Sequence, residues 1–517
     1  MLRLSAGKWG RSYERHLPSW RWVMAAVASY LIYASAVMAL HQYHDNSFCC
    51  ERVGLAAAVS NVVYGAPLGK VYPAIQAQFL DMEASVEEIL DRVTHLSASP
   101  QNPLTVQPDG NGIGFITAAS WAMRLFGPHL FAIPLFTLGL FALSAGVFLW
   151  RFPDDRSAVV TVSFLVLTLM LCTPLVWDPG IAGQIAIGGI RYFSLLGVVP
   201  AFHIVLEVAE QGGGGLAKKR DLVLLAVQTI ILVLAVLVRG SAASVAGPIF
   251  LVGLVKVWRS RCNRNESRSL RRKAAIIAMV GAVFVGSLLA VFPSRYMRDG
   301  RVTTVFWHRV VISLGINPAW PFGNLREVYH CENGGIPDGL VPGAGDRNGG
   351  CIWWHWVGTH DIPTGAAISG IYGRQYESVM RATFFDIARL YPREVVATFL
   401  YYKPKWLLQS MEYIGLNSGF NPSILTVLVI AGFGNFVGLL IVSARFSAGA
   451  TMLCLTGLGL LFGIFTIPSY LVAWATPHTI ADLLFYCLFC IGTGLGAALE
   501  TLRAVVSRAS AARASAA

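Results

Sequence analysis

The chain has 517 residues, 55% of them hydrophobic and 13% charged, with a formal net charge of +12 and a mean hydropathy of +0.58. The charged fraction is about half that of an ordinary soluble domain, which excludes a soluble globular fold and predicts a membrane protein. No basic stripe is interleaved with aromatics on a soluble segment, so the positive charge argues for membrane topology and not for a nucleic-acid partner.

Ten apolar runs approach the ~20 residues an α-helix needs to cross ~30 Å of hydrocarbon: 21–41, 128–150, 158–177, 188–209, 222–238, 242–258, 274–292, 422–442, 448–472 and 480–499. The first run has no small-residue cleavage site and is too long for a signal h-region, so it is expected to remain as a helix. Lys and Arg concentrate in cytoplasmic loops. The N-terminus with Arg3, Lys8, Arg11 and Arg15, the loop with Lys218, Lys219 and Arg220, the loop from Arg259 to Lys273, and the tail with Arg503, Arg508 and Arg513 share one side when ten spans alternate. The expected fold is therefore an all-α polytopic membrane protein with both termini cytoplasmic. It divides into an N-terminal membrane module over 1–292 that contains an outer loop over 42–112, an outer segment over 293–421, and C-terminal helices with a short tail over 422–517.

The first outer loop opens with Asp45 in "HQYHDNSFCCERV". Asp45 reads either as a solvated loop residue or as a base held at the bilayer surface. Further along, "ASVEEILDRVTHL" repeats Val86, Ile89, Leu90 and Val93 at helical spacing, predicting a helix on the membrane surface or packed on the outer domain. Asp109 comes next in "VQPDGNGIG", between a proline and glycines. It reads as a cap on a helix starting near Ile113, a reading compatible with a catalytic role. Gly212–Gly215 form a flexible cytoplasmic connector.

After the seventh run, Arg295, Arg298 and Arg301 stand with His308 and Arg309 on the outer side, against the usual charge bias. Arginine forks hold phosphate oxygens bidentately, while the plain alternative is headgroup contact. Of nine cysteines, Cys172, Cys454, Cys487 and Cys490 fall in apolar runs, Cys262 is cytoplasmic, and Cys49, Cys50, Cys331 and Cys351 are outside. Cys331 and Cys351 bracket a glycine-rich loop, and a disulfide closing it would stabilise by roughly 3 kcal/mol. "WWHWVGTHD" offers His355, His360 and Asp361 for a divalent cation in a segment without a clear helical pattern, although tryptophan packing explains it better. "YESVMRATFFDIARLYP" predicts a helix ended by Pro392, and the stretch after it places Tyr401, Tyr402, Lys403, Lys405 and Trp406 at headgroup level. No phosphate-binding glycine loop, HExxH or GxSxG nucleophile motif is present.

Asp45 after the first run, Asp109 before the second, and Leu125, Phe126 and Gly127 in "RLFGPHLFAIPLF" together resemble the N-terminal half of the GT-C superfamily of integral-membrane glycosyltransferases. The likeness covers about residues 20–210 by layout. It departs from that family where Asn46, not a second acid, follows Asp45, and where "GNGIG" stands in place of paired prolines. The resemblance implies a polyprenyl-phosphate-linked sugar donor, a periplasmic glycan, lipid or protein acceptor, and a bacterial inner-membrane location with the active face periplasmic. It further implies Asp45 as base, Asp109 as orienting acid, and Arg295, Arg298 and Arg309 on the phosphate. The competing expectations are a transporter or flippase of a lipid-linked intermediate, with ionisable residues deep in the bilayer, and a glycan polymerase or ligase of another membrane fold.

Overall fold

The structure, a computed structural model, describes residues 52–79, 81, 84–96, 103–105, 112–151, 196–209, 219–238, 267–291, 306–317, 344–363, 374–405, 506 and 510, and these are mostly helical. The expected spans 21–41, 158–177, 242–258, 422–442, 448–472 and 480–499 lie outside the described residues.

The first described segment folds from α1 (Arg52–Tyr64), β1 (Lys70–Val71), α2 (Pro73–Phe79), α3 (Val86–Thr94) and β2 (Leu104–Thr105). β1 and β2 pair antiparallel, Lys70 opposite Thr105 and Val71 opposite Leu104. α3 starts at a capping box in which Ser85 and Glu88 exchange side-chain and backbone bonds, so two donors that a helix start leaves unpaired are satisfied. Its stripe of Val86, Ile89, Leu90 and Val93 is buried in one core with Leu55, Val59, Val71 and Phe79. Of the two settings the sequence allowed, α3 thus takes packing against protein, its stripe buried with α1, β1 and α2. The Tyr64 hydroxyl lies on the carbonyls of Val93 and Leu96 at the other end of α3. Buried Arg52 donates to the carbonyls of Asp81 at 2.5 Å and Ala84 at 3.2 Å, fixing the turn that leads into α3.

α4 (Gly112–Phe126) lies between α1 and α7 (Lys219–Val238). A methyl built on Gly114 would overlap the Leu237 carbonyl group, and one on Gly54 of α1 would come 2.9 Å from the Phe115 ring. These contacts need glycine because no side chain fits between the elements. α4 closes at Gly127, with φ +96° and its N–H on the Met123 carbonyl at 2.9 Å, a left-handed cap that glycine adopts without strain.

The chain then enters α5 (Ala132–Arg151), followed among the described helices by α6 (Val198–Ala209), α7 and α8 (Ser267–Val291). Residues 132–151 and 220–238 are long and apolar enough to cross a membrane. The last residue of α5, Arg151, pairs with Glu207 near the end of α6 and lies 3.9 Å from Asp221 at the start of α7. α5 and α6 therefore run parallel, and α7 antiparallel to both. α8 begins seven residues ahead of the apolar run at 274, with Arg268, Arg271, Arg272 and Lys273 on its first turns.

A second hydrophobic cluster belongs to α9 (Phe306–Leu314), α10 (Ala344–Thr359), α11 (Arg374–Leu390) and α12 (Pro392–Ala397), the last running into a π-turn at Thr398–Tyr402. Val311, Leu314, Ile352, Trp353, Tyr376, Met380 and Ile387 form its centre. α11 ends where Pro392 opens α12, at the first helical position that proline tolerates. The "WWHWVGT" stretch, without a clear pattern in sequence, is helical to Thr359. It closes with Asp361 at φ 52° and the Ile362 N–H on the Val357 carbonyl at 3.2 Å, a Schellman ending.

Gly114→Ala should lower the thermal stability of the detergent-solubilised protein by the equivalent of about 1–3 kcal/mol, because the added methyl meets α7 backbone and not a movable side chain. Gly139→Ala, with nothing within 4 Å of the added atom, should leave the melting curve unchanged or slightly raised.

Candidate functional site

Asp45, Asp109, Arg295, Arg298, Arg301 and Cys331 lie outside the described residues. The described residues include those that flank the segment with Asp109 on either side. The segment that carries Asp109 leaves β2 at Thr105 and arrives at Gly112, where α4 begins. The start of α4 packs on the last residues of α7, Leu237 and Val238. That is the end of α7 opposite Asp221, and it presents the N-terminal N–H groups of α4, where a carboxylate is favoured. Arg124, the arginine of this helix, donates to the Asn61 side-chain oxygen at 2.9 Å, and Asn61 donates to the Ala66 carbonyl at 2.7 Å. Arg124 is thereby tied to the end of α1.

In the second helical unit, His308 is buried, and its Nδ1 lies 2.7 Å from the Tyr376 hydroxyl. A methyl on Gly349 of α10 would come 2.7 Å from both atoms, so the pair is closed over by backbone. The Glu377 carboxylate accepts from the N–H groups of Trp307 at 2.9 Å and His308 at 3.1 Å. It caps α9 from a neighbouring helix and occupies the place an anion would take. His308 is thus an interior residue of this unit and not a surface phosphate ligand. It lies on one buried face with Val311 and Leu314, three and six positions on, a spacing that gives the reason. Arg309 is on the exposed face of the same helix.

His355, His360 and Asp361 do not gather. Five positions on an α-helix turn a side chain by about 140°, and the closing turn carries Asp361 away. His360 instead stacks on Trp356 with ring centroids 4.3 Å apart, its Nδ1 2.9 Å from the Trp356 carbonyl. Among the described residues no three His, Cys, Asp or Glu side chains converge to hold a metal ion. Cys351 is disulfide-bonded, to a partner outside the described residues.

The bundle carries a buried polar ladder that the sequence reading missed. At its end Arg151 bridges Glu207 and Asp221, with Arg220 3.4 Å from Asp221. Further in, the Ser144 hydroxyl donates to the Gln228 side-chain oxygen at 2.7 Å, and the Gln228 amide donates to the Ser144 carbonyl at 2.8 Å and lies 3.4 Å from His203 Nδ1. The signal was Gln228 itself, the lone amide in "LVLLAVQTIILVLAVLV", since an amide among hydrocarbon side chains is costly without a partner.

Lys403 corrects the expectation of a headgroup lysine. It is buried beside the π-turn, with its amine 5.0 Å from the Phe399 ring centre, and burial lowers its pKa from 10.5 to about 7. The π-turn at Thr398–Tyr402 explains this: its extra residue rotates Lys403 toward the side of buried Val395 and Thr398, while Lys405 falls on the exposed side.

No protein-family model matches the chain, and no curated protein and no solved structure matches it either.

Glu377→Gln should weaken the α9 cap and destabilise the second helical unit by about 1 kcal/mol, read as a shift in its denaturation midpoint. For Lys403 the folded pKa lies below the unfolded one, so the unfolded chain binds more protons between the two values. Stability should therefore rise with pH above about 7 and flatten as the unfolded lysine deprotonates near 10.5, by at most about 1.4 kcal/mol per pH unit. Lys403→Met should remove that slope in denaturation series at pH 6, 8 and 9.5.

Proposed function

We propose that the chain is a ten-span inner-membrane glycosyltransferase of GT-C-like plan, moving a sugar from a polyprenyl-phosphate donor to a glycan, lipid or protein acceptor on the periplasmic side. The observation that carries this reading is the seating of α4. Its N-terminus packs against the end of α7 remote from the Arg151, Glu207 and Asp221 cluster, and the segment with Asp109 enters directly there. The positive-inside rule makes the end of α7 next to Lys218, Lys219 and Arg220 cytoplasmic, so the acid-bearing segment enters at the outer end. In this role Asp45 takes the acceptor proton, Asp109 orients the sugar, and Arg295, Arg298, Arg301 and Arg309 neutralise the leaving phosphate. The parallel course of α5 and α6, with α7 antiparallel, supports the alternation assumed for spans two, four and five.

One observation favours transport as the second reading. The Ser144, Gln228 and His203 group lies seven helical positions in from Arg151, roughly 10 Å along the helix axis. A path for a lipid-linked intermediate would place polar side chains at such depth. The bonds of Gln228 to Ser144 and His203 join one bundle helix to another, as expected of polar side chains that hold helices together, and this keeps glycosyl transfer ahead.

The test is the purified protein in proteoliposomes with a radiolabelled polyprenyl-phosphate hexose and a membrane extract as acceptor. Asp109→Asn and Asp45→Asn should each reduce transfer at least ~100-fold with unchanged melting curves. Full transfer by both variants would end this assignment, and movement of label across the bilayer without transfer would install the transport reading.

A further inference from the structure

The face of α12 and its π-turn that the second helical unit leaves uncovered is apolar. Leu390, Tyr391, Val396, Leu400 and Tyr401 are 70%, 41%, 54%, 73% and 58% exposed. The opposite stripe, Ile387, Val395 and Thr398, is buried in the unit's own core or bonded to Asn317. A helix that buries one apolar stripe and exposes a second has a use for both.

The flanks indicate what covers the second stripe. Residues 389–405 hold Arg389, Arg393, Lys403 and Lys405 against a single acid, Glu394. Lys403 is buried and Glu394 half-buried, leaving Arg389, Arg393 and Lys405 as the exposed charges within this segment, with exposed Asp386 one turn before Leu390, so that cations outnumber exposed acids three to one. The Lys405 amine reaches back over the Tyr401 ring at 5.9 Å, laying its stem along the apolar surface. An apolar centre with tyrosines and a cationic rim is complementary to an anionic lipid surface, where rings and hydrocarbon stems enter and charges meet phosphate. The described part of the unit ends at Lys405, 17 residues before Pro422, where the eighth expected span begins. On the membrane reading that connection tethers the unit within the roughly 60 Å that 17 extended residues can span, and the apolar, cationic character of this face makes it the side suited to the bilayer.

We propose that this face is a docking surface for the outer leaflet, seated in the headgroup layer and selective for anionic phospholipid. It holds the second helical unit down on the membrane. The proposal rests on the membrane reading above and is independent of sugar transfer.

The full chain in lipid nanodiscs, with a nitroxide attached through a genetically encoded ketone amino acid at position 400, tests it without disturbing the native cysteines. Oxygen, which concentrates in lipid, and a water-soluble nickel chelate report its surroundings. Labels at Gln375, exposed on α11, and Leu143, exposed on α5, serve as references. At position 400 oxygen should outcompete the chelate, several-fold more strongly in phosphatidylglycerol discs than in phosphatidylcholine discs. Arg389→Gln, Arg393→Gln and Lys405→Gln together should abolish the difference between lipids. At Gln375 the chelate should win. Free access of the chelate to position 400 overturns the proposal, as does shielding from both reagents, which would mean cover by another part of the chain or a second copy. Equal depth in both lipids overturns the anionic selectivity. A Leu143 label in lipid with position 400 in water would sink the docking surface alone, whereas both in water would sink the membrane reading beneath it.

Discussion

The contact of α4 with α7 at Gly114 is the constraint on which the described N-terminal half depends. Two helices that meet backbone to backbone leave no room for repacking by rotamer change, so their register is fixed more tightly than side-chain interdigitation would fix it. The next residue, Phe115, turns to the other neighbour and fills the space that Gly54 leaves on α1. One turn of α4 thus fastens the α1–β2 segment to the bundle from both sides, with small residues where backbones meet and a large ring where a gap needs filling. Dispersion contacts are weak singly and strong collectively only when the surfaces match in this way. The α1–β2 segment is consequently an extension of the bundle core, and its hydrophobic cluster is continuous with that of α5, α6 and α7.

At the other end the bundle is held by charge. Glu207 is 2% exposed and Asp221 8% exposed, and each would carry a large desolvation penalty alone. Arg151 between them makes burial tolerable, at the cost of specifying a single arrangement of three helix ends. Further in, Gln228 needs both of its polar atoms matched, and Ser144 supplies an acceptor and a donor at once. The two devices have different ranges. Hydrogen bonds inside the bundle select which helix faces meet, while the Arg151 pairs select which ends lie together.

The local structure was largely legible in the chain, and the long-range pairing was not. The α3 stripe, the Pro392 stop and the apolar run of α7 are periodic or positional signals that lie within about twenty residues. α10 escaped because Gly345, Gly349 and Gly350 weaken its helical reading and its aromatic run covers every face. His308 was read by its charge neighbours Arg301 and Arg309, when its spacing from Val311 and Leu314 put it on the inside. The partners of Gln228 and Arg151 are 84 and 56 positions away, and no short-range pattern encodes such separations. The candidate acids stood out as carboxylates in glycine- or loop-rich surroundings. Their relation to one another is a matter of tertiary path, which spacing does not give.

The second helical unit shows how one short segment can carry two opposed requirements. From Pro392 to Lys405 the chain must bury Val395, Thr398 and Lys403 against α11 and the end of α9, yet keep Val396, Leu400 and Tyr401 outside. An α-helix separates two such faces by 100° per residue, and the π-turn at Thr398–Tyr402 adds a residue to one turn, rotating the residues after Tyr402 about the helix axis. That rotation lets Lys403 point inward while Lys405, two positions later, faces out with the tyrosine. Burial of Lys403 lowers its pKa to about 7, its charge giving way to desolvation, so the buried face tolerates the amine in its neutral form. The exposed face carries Lys405 with its amine over the Tyr401 ring. The sequence "ATFLYYKPK" therefore holds a buried lysine of weakened charge and an exposed one two positions apart, and the difference between them is the direction each side chain takes from one turn of helix.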